Sequence, residues 1–294
     1  MEGLQDVPIH QYIGILNLRQ CVRVQSTELQ AGHSNQQFLV FQGVTEDHFN
    51  KIDHEHASIG KHTRMTYNTD ADLLIIKLMP SVEHEIVHRS LARRLEIALT
   101  GMGLPGDYLC PLGRARFRGH RSSKEADTAF KPPSRSQRTD WPTIVFESGL
   151  SKSLNRLRHD AKWWLTNSNR DVNIVVIISI ILAEKRLQVE KWCLSPAAGH
   201  RPATRANQNP NPLVPTKMRE INVTQNPAAQ PSTIAQPSGT IQPGPAPSYT
   251  VTGAPLILEF QRVILRAPVP PEGDIIFTIA DLSRWADRYW GSIN

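Results

Sequence analysis

SSKEADTAF (residues 122–130), the polar turn KPPSRSQRTD (131–140), WPTIVFESG (141–149) and SKSLNRLRHDAKWWL (151–165) form the stretch on which the fold turns. Two short strand patterns each hold one carboxylate where a core strand calls for an apolar residue. These are Asp127 in the first and Glu147 at the end of the second. Period-two alternation puts Thr143, Val145 and Glu147 on one face and Ile144 and Phe146 on the other. Glu147, at the strand's end, is thereby expected to leave the core and reach solvent. On the helix that follows, Leu154, Leu157, Ala161, Trp164 and Leu165 share the face toward the core, with Lys162 on its flank. Two acids on neighbouring strands, followed at once by a basic helix, point to a divalent-metal site on a phosphate-binding face. Mg²⁺ takes hard oxygen ligands, commonly one or two carboxylates, and leaves the remainder to water and phosphate.

Upstream, residues 1–36 are poorly patterned, with CVRVQ readable as a short strand. FLVFQGV is a strand, Thr45 an N-cap with Glu46 and Asp47 in the first turn, and RMTYNTDADLLIIKLM a hairpin. Pro80-Ser81 opens a long amphipathic helix on which Ile86, Ser90, Leu91, Leu95, Ala98 and Leu99 recur at helical spacing. Downstream, IVVIISIILA (174–183) is rich in Val and Ile and reads as a strand buried on both faces. RLQVEKWCL pairs antiparallel with it. The composition then shifts to Pro, Gln, Asn, Ala, Ser and Thr over 195–253. That stretch cannot bury enough apolar surface to offset its chain entropy, so it is expected to be a disordered insertion, interrupted at most by a short EINVTQ strand. Residues 254–294 return to order and close the domain, with Asp281 capping a last helix that buries Leu282, Trp285, Ala286 and Tyr289.

The chain has 294 residues, 39% of them hydrophobic and 20% charged, with 22 prolines and a formal charge of +6. This suits one sizeable domain with appendages and a lean toward acidic partners such as nucleic acid. Between Pro111 and Leu165 there are twelve Lys or Arg against five Asp or Glu, so the acid pair sits in a basic surround. Cys21, Cys110 and Cys193 are odd in number and far apart, which speaks against a disulfide framework and a thiolate zinc site. The N-terminus lacks the pattern of a secretory leader. The longest apolar run is about half of what a membrane span requires. A nuclear or cytoplasmic, intracellular protein is expected, not a secreted one; its oligomeric state is not readable.

His84-Glu85-Ile86-Val87-His88 spells H-E-x-x-H. On a helix, histidines four apart share a face and can bind Zn²⁺, with the glutamate as base for attack on a peptide bond. No third ligand follows at the spacing such peptidases use. His48, His54, His56 and His62 read as exposed polar residues.

The order helix, hairpin of strands, strand, helix, strand from Ser81 to Ala183 resembles the PD-(D/E)XK nuclease superfamily, the restriction-endonuclease-like fold. It is most similar to the branch of small proteins in which an acidic helix start (here HEIVH) precedes the aspartate strand, and the glutamate strand ends in an E-x-S/G turn. The resemblance spans roughly residues 38–193 with the C-terminal piece, and implies a core domain over 37–194. It implies that Asp127 (in EAD) and Glu147 (in FES) hold Mg²⁺ or Mn²⁺, and that Glu85 completes the site. In that family the residue two after the glutamate is a water-orienting lysine; here it is Gly149, and Lys152 or Lys162 would have to stand in.

The expected architecture is therefore α/β, a restriction-endonuclease-like mixed sheet flanked by helices, acting as a metal-dependent nuclease on nucleic acid phosphodiester bonds. Two alternatives stay open. One is a non-catalytic module of the same fold that binds nucleic acid or protein. The other is a zinc metallopeptidase through His84 and His88.

Overall fold

The computed structural model describes residues 2–60, 62–79, 82–113, 115–197, 212–227 and 248–293, with the side chains of 82–84 excepted. The N-terminal stretch is more ordered than its pattern suggests. It holds strand β1 (Ile9–Gln11) and helix α1 (Ile15–Gln30). CVRVQ lies inside α1, not in a strand: Leu18, Val22 and Leu29 bury at helical spacing, and that packing overrides the strand preference of valine. After β2 (Phe38–Gln42), the Thr45 hydroxyl accepts from His48 N and caps α2 (Glu46–His54), as expected. Short α3 (His56–Ile59) leads into the hairpin of β3 (Thr63–Asn68) and β4 (Leu73–Leu78). Along α4 (Val82–Gly101) the buried residues are Val87, His88, Leu91, Ala92, Leu95 and Leu99. Ile86, Ser90 and Ala98, expected on that face, are half-buried at its edge.

The single mixed sheet of the sequence reading is two larger sheets and one small one. Strands β5 (Cys110–Pro111), β6 (Arg116–Arg118), β7 (Ser122–Glu125), β8 (Thr128–Lys131) and β9 (Ile144–Leu150) divide between them. β7 joins a six-stranded sheet of order β1-β2-β4-β3-β7-β6. β8, only two residues later, joins a seven-stranded sheet. The chain changes sheets at Ala126-Asp127, so Asp127 stands at the seam and not within a strand.

Helix α5 (Leu154–Asn167) carries the chain from β9 to β10 (Ile174–Ile181), which lies parallel to β9 and antiparallel to β11 (Arg186–Pro196). β12 (Leu213–Gln225) and β13 (Tyr249–Thr252) extend this sheet, giving β13-β12-β11-β10-β9-β8-β5. The 195–253 stretch therefore contributes two sheet strands, the first far longer than EINVTQ. Its residues 198–211 and 228–247, on which the expected disorder falls, lie outside the described residues.

Alternation along β10 explains its apolar run. Val175 and Ile177 pack toward α5 with Leu157, Ala161, Trp164 and Leu165. Val176, Ile178 and Ile180 pack on the other face with Val87, Leu91 and Leu95 of α4. The C-terminal piece seals that second face. β14 (Leu256–Leu258), α6 (Phe260–Ile264), β15 (Ile275–Phe277) and α7 (Ile279–Gly291) place Leu282, Trp285, Ala286 and Tyr289 in the same core. Trp285 Nε1 donates to Val87 O at 3.1 Å, tying α7 to α4. The N-cap of α7 is Thr278, one turn earlier than the expected cap Asp281, which is instead the third residue of a reciprocal capping box.

Candidate functional site

Asp127 and Glu147 converge. β8 and β9 pair antiparallel with Thr128 opposite Phe146, which sets the residue before one beside the residue after the other. Between them lies the ammonium of Lys77, 2.7 Å from Asp127 Oδ2 and 3.1 Å from Glu147 Oε2. Lys77 comes from β4 in the other sheet, so the seam at Asp127 is what brings the three together.

Glu147 does not reach solvent. β9 runs three residues beyond it, paired with β10 through Leu150, and its side chain is enclosed beneath α5. There Trp164 Nε1 donates to Glu147 Oε1 at 2.8 Å, and Lys124 approaches the same oxygen at 3.5 Å. Lys124 also pairs with Asp160 at 2.9 Å, and Arg156 with Asp160 at 3.1 Å. The helix pattern placed only apolar residues on this face of α5; Arg156 and Asp160 are buried there too. Three cations and three carboxylates thus form one enclosed network, and each charge is stable there only because its partners are present.

The electrostatics follow from that packing. Burial alone would raise the Asp127 carboxyl, but the charges of Lys77 and Arg64 outweigh it and hold the group well below the usual carboxylate range. For Glu147 burial prevails over the pull of Lys124 and Lys77, and its pKa is raised. Burial would lower the Lys77 pKa, yet the adjacent Asp127 and Glu147 raise it, so the ammonium is charged at neutral pH.

The lysine position of the family pattern is tightly packed. A Cβ on Gly149 would lie 3.1 Å from Gln37 Oε1 and 3.3 Å from Ser153 Cβ. Gln37 fills that space, accepting from Leu150 N at 2.6 Å and from Ser153 Oγ at 3.2 Å. Neither expected substitute reaches the acids. Lys152 is exposed, and Lys162 pairs with Glu2 at 3.2 Å on the outer side of α5. Lys77 and Lys124 are the lysines that sequence reasoning missed. The available signal was a lone charge inside the apolar strand LLIIKL and another beside EAD.

Asp127 also lines a groove of about 570 Å³ whose walls include Arg64, Glu85, Arg89, Arg93 and Thr128. Asp127 Oδ1 is buried with no hydrogen-bond partner among the described residues. Ser148 N donates to Oδ2 at 2.8 Å, so it is the second oxygen that is left over. Glu85 sits on the same groove, 3.3 Å from His62 and 3.4 Å from Arg89. Burial would raise its pKa, but Arg89 and His62 outweigh it and the group is lowered into the charged form.

His88 does not line the groove with Glu85. It is fully buried, with Nδ1 2.8 Å from Thr128 Oγ1. The other histidine of the H-E-x-x-H motif, His84, has its side chain outside the described residues. Burial pushes the His88 pKa down to about 4 despite the attraction of Asp127, so the ring is neutral in the fold. A group depressed from 6.5 to about 4 contributes stability that is complete above 6.5 and lost as the pH falls toward 4. Wild-type protein is expected to lose up to about 3 kcal/mol more than His88→Gln over that window. Urea denaturation of both proteins at several pH values checks this.

A second cluster, Asp53, His56 and Glu125, gathers three potential metal ligands within 4.8 Å. The Arg116 guanidinium lies 2.8 Å from both carboxylates and 4.7 Å above the Phe49 ring. An internal cation already pairs with both acids. His56, read as an exposed residue, belongs to this cluster, 3.4 Å from Glu125. Arg116 shows why the basic run RARFRGHRSSK is not wholly a solvated face.

No family model and no curated protein matches the chain. Among solved structures, a "putative nuclease belonging to DUF820" from Anabaena variabilis is 14% identical, with 51% of this chain and 86% of that chain covered and a TM-score of 0.33.

No helix among the described residues is long and apolar enough to cross a membrane.

Proposed function

We propose that this chain is a nuclease-like hydrolase acting on nucleic acid phosphodiester bonds in the groove beside Asp127. The observation that carries the proposal is the meeting of Asp127, Glu147 and Lys77. It supplies the aspartate, glutamate and lysine that the sequence resemblance calls for, with the lysine drawn from β4 instead of the glutamate strand. Arg64, Arg89 and Arg93 on the groove walls suit a polyanion.

The residues fit a divalent ion. Asp127 Oδ1 is a hard oxygen left without a hydrogen-bond partner among the described residues, and Glu85 offers a second charged carboxylate on the same groove. Asp127 and Glu85 would hold Mg²⁺ or Mn²⁺, which when bound supplies a water of lowered pKa and neutralises phosphate charge. Glu147 has both oxygens engaged, so its part is to fix Lys77. Lys77, held between two acids, keeps its proton and fixes the Asp127 carboxylate beside the groove. Arg89 and Arg93 hold the flanking backbone.

A non-catalytic nucleic-acid-binding module of the same fold is favoured by one observation: Lys77 takes up the point where the two acids meet. Supercoiled plasmid incubated with the protein in Mg²⁺ or Mn²⁺ separates the two. Nicking or linearisation that EDTA stops is expected; salt-sensitive binding with no turnover in either metal would establish the second reading.

A further inference from the structure

We propose that a second groove, between α4 and α7, binds backbone phosphates of the same nucleic acid strand where it leaves the Asp127 groove. This rests on the nucleic-acid reading above. The second groove has a volume of about 400 Å³ and its lining includes Arg94, Arg284, Arg288 and Asp281. Three guanidinium groups share one carboxylate, and that carboxylate is already committed. Asp281 accepts from Thr278 N and Thr278 Oγ1 in the capping box and from Arg284 at 2.6 Å. Arg94 is left with a contact of 3.8 Å to Asp281. Arg288 has no ion pair among the described residues.

Like charges gathered beside a low-dielectric wall repel one another and are relieved by an anion. Arg94 is partly enclosed, and both its burial and the nearby Arg288 charge disfavour its protonated form. Ile97 and Ile276, 54% and 52% exposed, form apolar rims on either side. Apolar rims around a cationic floor fit the alternation of sugar and phosphate along a strand.

The position of the groove decides which polyanion. Arg93 lines the Asp127 groove and Arg94, its sequence neighbour, lines this one, so α4 is the ridge between them. A ligand that engages both must carry phosphate on each side of a helix. Nucleic acid is a chain of that kind, and a free phosphate is not.

The test uses the full chain and the double variant Arg284→Gln/Arg288→Gln, both positions being exposed on α7. Binding of a fluorescent long duplex and of an oligonucleotide short enough for the first groove alone is measured against salt, in EDTA to prevent cleavage. For the long duplex, the plot of log affinity against log salt is expected to lose about two units of slope, one for each phosphate contact. The short oligonucleotide is expected to bind both proteins equally. An unchanged slope on the long duplex overturns this proposal while leaving the Asp127 groove in place. Absence of nucleic acid binding by the wild type overturns both. Loss of poly-glutamate binding in the variant, with duplex binding intact, would assign the groove to an acidic protein instead and also overturn it.

Discussion

Asp127→Asn is expected to lower metal-dependent cleavage about 10³-fold, a loss of several kcal/mol of transition-state stabilisation. The substitution keeps the shape of the side chain but removes the charge shared by its buried oxygen that has no hydrogen-bond partner among the described residues. It also weakens the bonds from Lys77 Nζ and Ser148 N to Oδ2. Hydrogen bonds to a charged group contribute about 1.5–3 kcal/mol each, so a fall in stability accompanies the loss of activity. That differs from what two solvent-reaching acids would give, where folding would be spared. Cleavage is therefore to be measured well below the variant's unfolding temperature, with circular dichroism showing that it is folded. Wild-type rates in a folded Asp127→Asn protein would remove Asp127 from the reaction. Glu147→Gln is expected to behave differently in detail, weakening Lys77 placement while the charge on Asp127 remains.

Lys77→Met is expected to destabilise the protein by about 3–5 kcal/mol at neutral pH, since it leaves two buried carboxylates facing one another without their shared cation. Methionine fills a similar volume, so the loss reports charge more than packing. The pH dependence identifies the cause. In the wild type, the depressed Asp127 pKa contributes stability that is present above the ordinary carboxylate range and lost as the pH falls through the folded value. In the variant the cation that depresses it is gone. Both carboxyls then take up protons more readily folded than unfolded, and acidification restores stability. The gap between the two proteins should narrow from pH 7.5 to pH 5 in urea denaturation. A gap that is small at pH 7.5, or constant across that range, would mean that Lys77 is not the resident partner of the acid pair.

Much of the fold lies open in local pattern. The Thr45 cap, the 63–78 hairpin, the buried run at 174–181 and the amphipathic face of α7 each rest on periodicity or on a side chain bonding its own backbone, which are short-range effects. α1 was hidden because its apolar residues are sparse and Val22 and Val24 favour a strand in isolation. β12 was hidden because its half-exposed residues bury little surface, and its backbone bonds to β11 hold it in place.

The candidate site divides in the same way. Asp127 and Glu147 stand out in the sequence because a carboxylate inside a strand pattern is costly, and that cost shows locally. What each acid faces is not local. Lys77 lies 50 residues from Asp127 and 70 from Glu147, on a strand of the other sheet. Its own segment, LLIIKL, shows only a charge that a strand edge could expose. Gly149, which broke the expected lysine spacing, packs against Gln37, which immediately precedes β2. Sequence alone determined the strands and helices with strong local periodicity and which two acids are out of place among apolar neighbours, because those are properties of residues close along the chain. The tertiary structure decided that the acids are enclosed, that Lys77 lies between them, and that one buried oxygen of Asp127 is left without a hydrogen-bond partner among the described residues. Charges in a low-dielectric interior are governed by whichever partners the packing of two sheets brings within a few ångströms, whatever their separation along the chain.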